Sequence, residues 1–306
     1  YLYQQKIKWY LCHNNKFFFT HYLTINFMQT RRQFLASTGT LAIGAAVLPS
    51  CKAASANVKN VGIQLYSFRD DMLKDSEGTL RKIAGLGFKQ IESASSSKGH
   101  YYGLKPKEIK NICTDLGMTL RSGHVGIDTK WQQTMEEAAE SGQEYLVVSS
   151  MPVNGQTVDN YKRVSDIFNE SAAALQQFNI QFAYHNHDAE FETEKGEVLY
   201  DVLLQHSDKK LVKMEMDLGW VVVAGKDPLE YFKKYPGRFP LWHLKDMNLV
   251  TKHSTEFGKG SLPIVELLRN SKDAGLQYFF VEQEEYSLSP EQSMKENMDF
   301  LRTVKI

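Results

Sequence analysis

The chain has 306 residues, and its 36 basic and 36 acidic side chains leave no net charge at neutral pH. Hydrophobic residues make up 42%, charged residues 24% and aromatics 12%, a globular composition that excludes disordered and collagen-like chains. Three cysteines are too few for a disulfide framework, and the absence of a basic surplus argues against a nucleic-acid binder.

Residues 1–27 contain no Asp, Glu, Gly or Pro and are rich in Tyr, Phe, Asn, Lys and Ile. Such a mixture is expected of translated upstream sequence, with Met28 as the natural start; a genuine leader is the alternative. Residues 28–51 read as an export signal: Arg31-Arg32, then Phe34-Leu35, then an apolar run over 41–48, then Pro49-Ser50-Cys51. That run is far shorter than the about 20 residues a membrane span needs. The arginine pair resembles a twin-arginine signal, and Leu48-Pro49-Ser50-Cys51 resembles a bacterial lipobox. These resemblances imply a periplasmic protein touching a membrane only through lipid on Cys51. An ordinary cleaved signal would instead leave Cys51 incidental. Residues 1–51 hold five basic and no acidic side chains, so residues 52–306 carry 31 basic against 36 acidic groups, a net charge of −5. Residues 52–60 are small and polar, as in a tether.

From residue 61 onward, short β-rich runs alternate with helical patterns. The predicted strands cover 61–67, 89–94, 119–125, 145–150, 181–185, 212–217, 240–245 and 278–282, and their starts are about 31 residues apart, the length of one βα unit. Between the first two strands, residues 79–87 place Leu80, Ile83 and Leu86 on one helical face before Gly87. The next helix, 106–116, opens on Pro106 and stops at Gly117. Further helices are expected over 159–178 and 262–274, the latter ending at Gly275. Eight such units predict a single α/β domain over 61–304, a closed (β/α)8 TIM barrel. An open doubly wound sheet is disfavoured, because Gly62-Ile-Gln-Leu-Tyr is no glycine-rich phosphate loop.

Reactive groups of such a barrel sit at the C-terminal ends of its strands. Those ends carry Arg69, Glu92, His124, His185-Asn186-His187, Glu190, Asp217, His243, Lys245, Asp246, Glu282 and Glu284. Imidazoles and carboxylates from different strands suit one divalent cation, and this donor mixture favours a transition metal over calcium. No CxxC or HExxH spacing is present, so the ligands would be dispersed. His100, His206 and His253 fall in loops or at helix ends and are read as structural. Glu190 has a loop-capping reading, and Glu284 a solvent-facing one.

Val61-Gly-Ile-Gln-Leu-Tyr-Ser, Tyr184-His-Asn-His-Asp188 with Glu190-Phe191, Asp217-Leu-Gly-Trp220, His243-Leu-Lys-Asp246 and Val281-Glu-Gln283 resemble the sugar phosphate isomerase/epimerase group of xylose isomerase-like TIM barrels. The resemblance spans about residues 61–304. It implies a divalent metal (Mn, Co, Mg, Fe or Zn) held at the ends of strands 5 to 8, here His185, Asp217, His243 and Glu282. The group's strand-5 glutamate is replaced by His185, with His187 as the substitute ligand, and Trp220 stands where many relatives have a histidine. The implied chemistry is removal of a proton beside a sugar carbonyl, with Glu282, His185 or His187 as base. Lys245 would hold a negative oxygen or protonate a leaving group. Arg69, Glu92, His124 and Glu190 would bind substrate, and Trp220 would offer a stacking wall. Isomerisation, epimerisation and elimination then remain open. The expected partner is a small sugar, without nucleic acid, and export disfavours a phosphorylated one. An inert sugar-binding lipoprotein is the alternative from another class.

Overall fold

Side chains of a β-strand alternate between its two faces, so a strand closed into a barrel must fill a lumen with one set and pack helices with the other. The computed structural model, which describes residues 58–306, shows this arrangement. The barrel strands are β1 Gly62–Gln64, β2 Gln90–Ser93, β3 Thr119–Val125, β4 Tyr145–Val148, β5 Gln181–His185, β6 Val212–Asp217, β7 Leu241–Leu244 and β8 Tyr278–Val281. Each pairs in parallel with the next in sequence, and β8 closes on β1. The expected (β/α)8 barrel is therefore the fold. The segments over 1–51, Cys51 included, lie outside the described residues. Val58, assigned to the tether, already packs against the core.

Outward-facing residues such as Ile63, Ile91, Phe182, Met214, Trp242 and Val281 are buried beneath the helices. The lumen is divided. Its lower end is a separate apolar cluster of Tyr145, Val147, Ala183, Leu241 and Phe280. Towards the C-terminal ends of the strands the lumen turns polar: His185, His243 and Glu282 lie two residues beyond Ala183, Leu241 and Phe280, and Asp217 joins them from β6. Gly62 lies beside Phe280; a Cβ there would come within 2.6 Å of the ring, so the lumen accepts that phenyl only because β1 lacks a side chain at this point.

The helices follow the predicted starts and stops with local changes. Asp75 caps Ser76–Leu86 by accepting from Gly78 N at 2.9 Å, and Gly87 ends that helix at φ 103°. Val158–Leu175 gives way to a 3-10 turn, Gln176–Phe178, before Asn179 at φ 56°. The helix expected over 262–274 is split into Ile264–Arg269 and Ser271–Ala274, because Asn270 leaves helical geometry and its amide bonds the Glu266 carbonyl. The first predicted strand is shorter than expected: Gln64 accepts from Tyr66 N and turns Leu65–Phe68 into a 3-10 helix. Two hairpins, Thr193–Glu194 with Glu197–Val198 and Asp246–Asn248 with His253–Thr255, decorate the loops after β5 and β7. No helix among the described residues is long and apolar enough to cross a membrane.

Candidate active site

Parallel register brings the ligand candidates together. Asp217 is the Cα partner of His243, so β6 and β7 present their last inward residues at one level, while His185 is the partner of Glu215 and ends β5 one inward step below Asp217. Asp217 also caps the short helix Leu218–Val223: its Oδ1 accepts from Trp220 N at 2.9 Å, which directs Oδ2 into the lumen. That Oδ2 accepts no well-aligned hydrogen bond. Asn186 further ties β5 to β6, accepting from Asp217 N at 3.2 Å.

His185 Nε2 lies 3.0 Å from His243 Nδ1 and 3.4 Å from Asp217 Oδ2. His243 Nδ1 is 3.0 Å from Glu282 Oε2 and 3.8 Å from Asp217 Oδ2. One donor atom from each of these four buried residues falls within 4.8 Å of the others. These four separations run from 3.0 to 3.8 Å, close enough for two imidazole nitrogens and two carboxylate oxygens to share one cation. The residues present therefore fit a divalent transition metal, for which His185 would be the strand-5 donor. His187 stays exposed on the cavity wall instead.

Burial and the neighbouring His243, His124 and His187 hold the His185 imidazole well below its ordinary range, so it is neutral and able to donate a lone pair. Burial alone would depress His243 too, but Glu215, Glu282 and Glu92 lift it well above the ordinary value in the absence of a cation. Glu282 runs the other way: burial would raise it, and Lys245 and His243 pull it well below the usual carboxylate range. Lys245 is fully buried, with Nζ 3.0 Å from Asp217 Oδ2, 2.7 Å from Glu282 Oε2 and 2.5 Å from Glu284 Oε1. These carboxylates raise its pKa well above normal despite burial. Its stem fits because residue 219 is glycine; a Cβ there would lie 2.5 Å from Lys245 Cγ.

Above the cluster opens a cavity of about 230 Å³, lined by Tyr66, Ala94, Ser95, His124, Ser149, His185, His187, Glu282 and Glu284. Of the residues assigned roles from sequence, His124, His185, His187 and Glu282 reach this wall. The others are placed elsewhere. Glu92 lies fully buried beneath His124 and His243. Glu190 accepts from Tyr184 Oη at 2.6 Å and from His187 N at 2.7 Å, so it shapes the loop that carries His187. Arg69 stacks on Tyr66 and donates to the Glu284 carbonyl at 2.8 Å. Trp220 is half-buried with Lys245 Nζ 5.3 Å from its ring. Lys245 is clamped as described, and Glu284 faces the cavity and that lysine.

Sequence reasoning passed over Glu215, Tyr66, Ser95 and Ser149. For Glu215 a signal existed: inward Asp217 at a strand end places residue 215 inward as well. Glu215 lies 2.6 Å from His124 Nε2, and burial with the Glu92 charge pushes its carboxyl up to about 7. Burial would depress His124, but Glu92 and Glu215 push it up to about 9.

A parallel eight-stranded barrel with dispersed imidazole and carboxylate donors at one rim defines the class of protein. The chain belongs to the xylose isomerase-like TIM barrel family, which its residues 80–304 match. Among solved structures it is similar to a sugar phosphate isomerase/epimerase from Parabacteroides distasonis, 27% identical, with 80% of this chain and 98% of that one covered and a TM-score of 0.71. The IOLI protein with a bound zinc atom shares the fold at 15% identity and a TM-score of 0.63, covering 78% of this chain and 95% of that one. The inosose dehydratase of Clostridium perfringens is 30% identical over 89 residues, and that match spans 29% of either chain.

Proposed function

We propose that the protein is a metal-dependent enzyme that removes a proton beside the carbonyl of a free sugar or keto-sugar and carries the product to isomerisation or epimerisation. The observation behind this reading is the convergence of His185, Asp217, His243 and Glu282 on the floor of a cavity whose wall carries further bases. A divalent cation there would act as a Lewis acid on a carbonyl oxygen and stabilise enolate charge. The chain's own residues divide the remaining work. Glu282, reaching both floor and wall, is held ionised by Lys245 and His243 and is the base at the floor. His187 is the second acid/base group, placed by the Glu190 contact to its backbone. Ser95, Ser149 and His124 offer hydrogen bonds to hydroxyls, and Tyr66 offers an aromatic face at the rim. No Lys or Arg is among the wall residues, which suits a sugar without phosphate.

Elimination is the second reading, supported by the similarity to an inosose dehydratase and by the histidine at the end of β5 where the resemblance expects a glutamate. Lys245 does not serve it as leaving-group acid, because three carboxylates hold its proton, and His187 takes that role. Incubation of the metal-loaded protein with keto- and aldo-sugars in deuterated water tests both readings. Deuterium in recovered sugar, or in an isomer, supports the first; an unsaturated product without exchange supports the second. Tight binding with neither change would make the protein an inert sugar binder. Export and lipidation at Cys51 complete the proposal, and mass spectrometry of the native protein checks them by the mass of its first residue.

A further inference from the structure

His243 is gripped on both ring nitrogens. Nδ1 faces His185 and Glu282 in the donor cluster, while Nε2 points down the lumen, 2.6 Å from Glu92 Oε1 and 3.3 Å from Glu215 Oε2. A neutral imidazole has one lone pair, and the hydrogen bond made by one nitrogen decides whether the other is free to bind a cation. Glu92 is well fixed for that purpose. It has no solvent exposure, Gln64 Nε2 donates to its Oε1 at 2.8 Å, and Ser122 Oγ donates to its Oε2 at 2.5 Å. It reaches the same atoms from the other side: His124 Nε2 lies 3.3 Å from Glu92 Oε1 and 2.6 Å from Glu215 Oε2. The His124 and His243 rings stack at 5.0 Å with planes 8° apart. Each carboxylate thus touches both imidazoles, forming a closed frame one layer below the cavity floor.

We propose that Glu92 is a positioning residue: it accepts Nε2–H of His243, leaves the Nδ1 lone pair aimed at the cation site, and with Glu215 aligns His124 with the cavity wall. The inference rests on the metal reading above. His124, His185, Glu215 and His243 also bring donor atoms within 4.8 Å of one another. We assign them to the frame, not to a second cation, because Glu92 and Glu215 already meet a ring nitrogen of His243 and His124 at 2.6 Å.

The test is Co(II) titration of the purified protein, followed by histidine ¹H–¹⁵N correlation spectra with Zn(II) bound. The wild type should bind one equivalent, with Nε2 of His243 protonated and Nδ1 ligating. Glu92→Leu should weaken Co(II) binding by about 10- to 100-fold, the usual cost of losing a carboxylate behind a ligating histidine. Glu92→Gln keeps an acceptor of the same shape, so it should fold and fall between the two with the same tautomer. Ile83→Ala, on the outer helix Ser76–Leu86, lowers stability without touching the lumen and should bind as the wild type does. Unchanged affinity in both Glu92 variants, or a proton on Nδ1 in the zinc form, overturns the assignment. Two equivalents in the wild type with one lost in Glu92→Leu would make the frame a second metal site. No binding by the wild type would overturn the metal reading along with it.

Discussion

Replacing Lys245 by Met removes the one ammonium that touches Asp217, Glu282 and Glu284 at once, at 3.0, 2.7 and 2.5 Å. Methionine fills much of the same volume beside Gly219, so packing changes little and the electrostatic loss dominates. Breaking a buried ion pair by removing one partner typically costs about 3–5 kcal/mol, because the remaining charge stays desolvated and unpaired. Here the remaining charges are carboxylates crowded at one end of the lumen, so the metal-free variant should lose about that much. In a barrel of this size the loss lowers the melting temperature by about 6–20 °C. A divalent cation bound between Asp217 and Glu282 restores the missing positive charge. Zinc at 100 times its dissociation constant adds about 2.7 kcal/mol to any folded state that binds it, and it should recover most of the variant's loss. The same variant should bind zinc more tightly than the wild type, since no ammonium competes for the carboxylates. Thermal melts of both proteins in EDTA and in zinc measure this directly. Equal melting temperatures in EDTA, or a deficit that zinc leaves untouched, would refute the view that Lys245 serves as counter-ion to the cation site.

Asp217→Ala and His243→Ala should each abolish high-affinity metal uptake while the far-ultraviolet circular dichroism stays that of the barrel; full stoichiometry in both would place the metal elsewhere. Glu256 is held down to about 2, since bonds from Ser293 and Gln283 and the Lys259 charge outweigh the burial that would raise it. Its contribution, up to about 3 kcal/mol, is complete above the ordinary value near 4.5 and is lost as pH falls towards 2. The stability gap between the wild type and Glu256→Gln in urea should therefore narrow from pH 7 to pH 3, and a constant gap would contradict it. Asp246 accepts four backbone N–H bonds, from Met247, Gly258, Gly260 and Leu262, at 2.9–3.0 Å. Asp246→Ala should cost at least about 3 kcal/mol by leaving those donors unpaired, with faster hydrogen exchange over residues 258–262 as its local signature.

Much of the barrel was legible in the sequence because its cause is local. Alternating apolar runs, proline at helix starts and glycine at helix ends act within a few residues of one another, and β3, β5 and β6 begin and end where that patterning places them. The strand ends at His185, Asp217, His243 and Glu282 were legible for the same reason, since a polar residue closing an apolar strand is a local irregularity. Which nitrogen faces which oxygen was not. Lys245 looked like a free acid on a strand end, and only the closing of the barrel surrounds it with three carboxylates from β6 and the segment after β8. Glu92 looked like a substrate contact, but the lumen places it under His243, 151 residues away in sequence. Glu215 was hidden among apolar neighbours until the register of β5 to β7 showed what it meets. Composition and periodicity determine which face of each strand is buried, because that depends on the alternation of side chains along one strand. Charge state, tautomer and access to the cavity depend on distances between strands far apart in the chain, and barrel closure alone sets those distances.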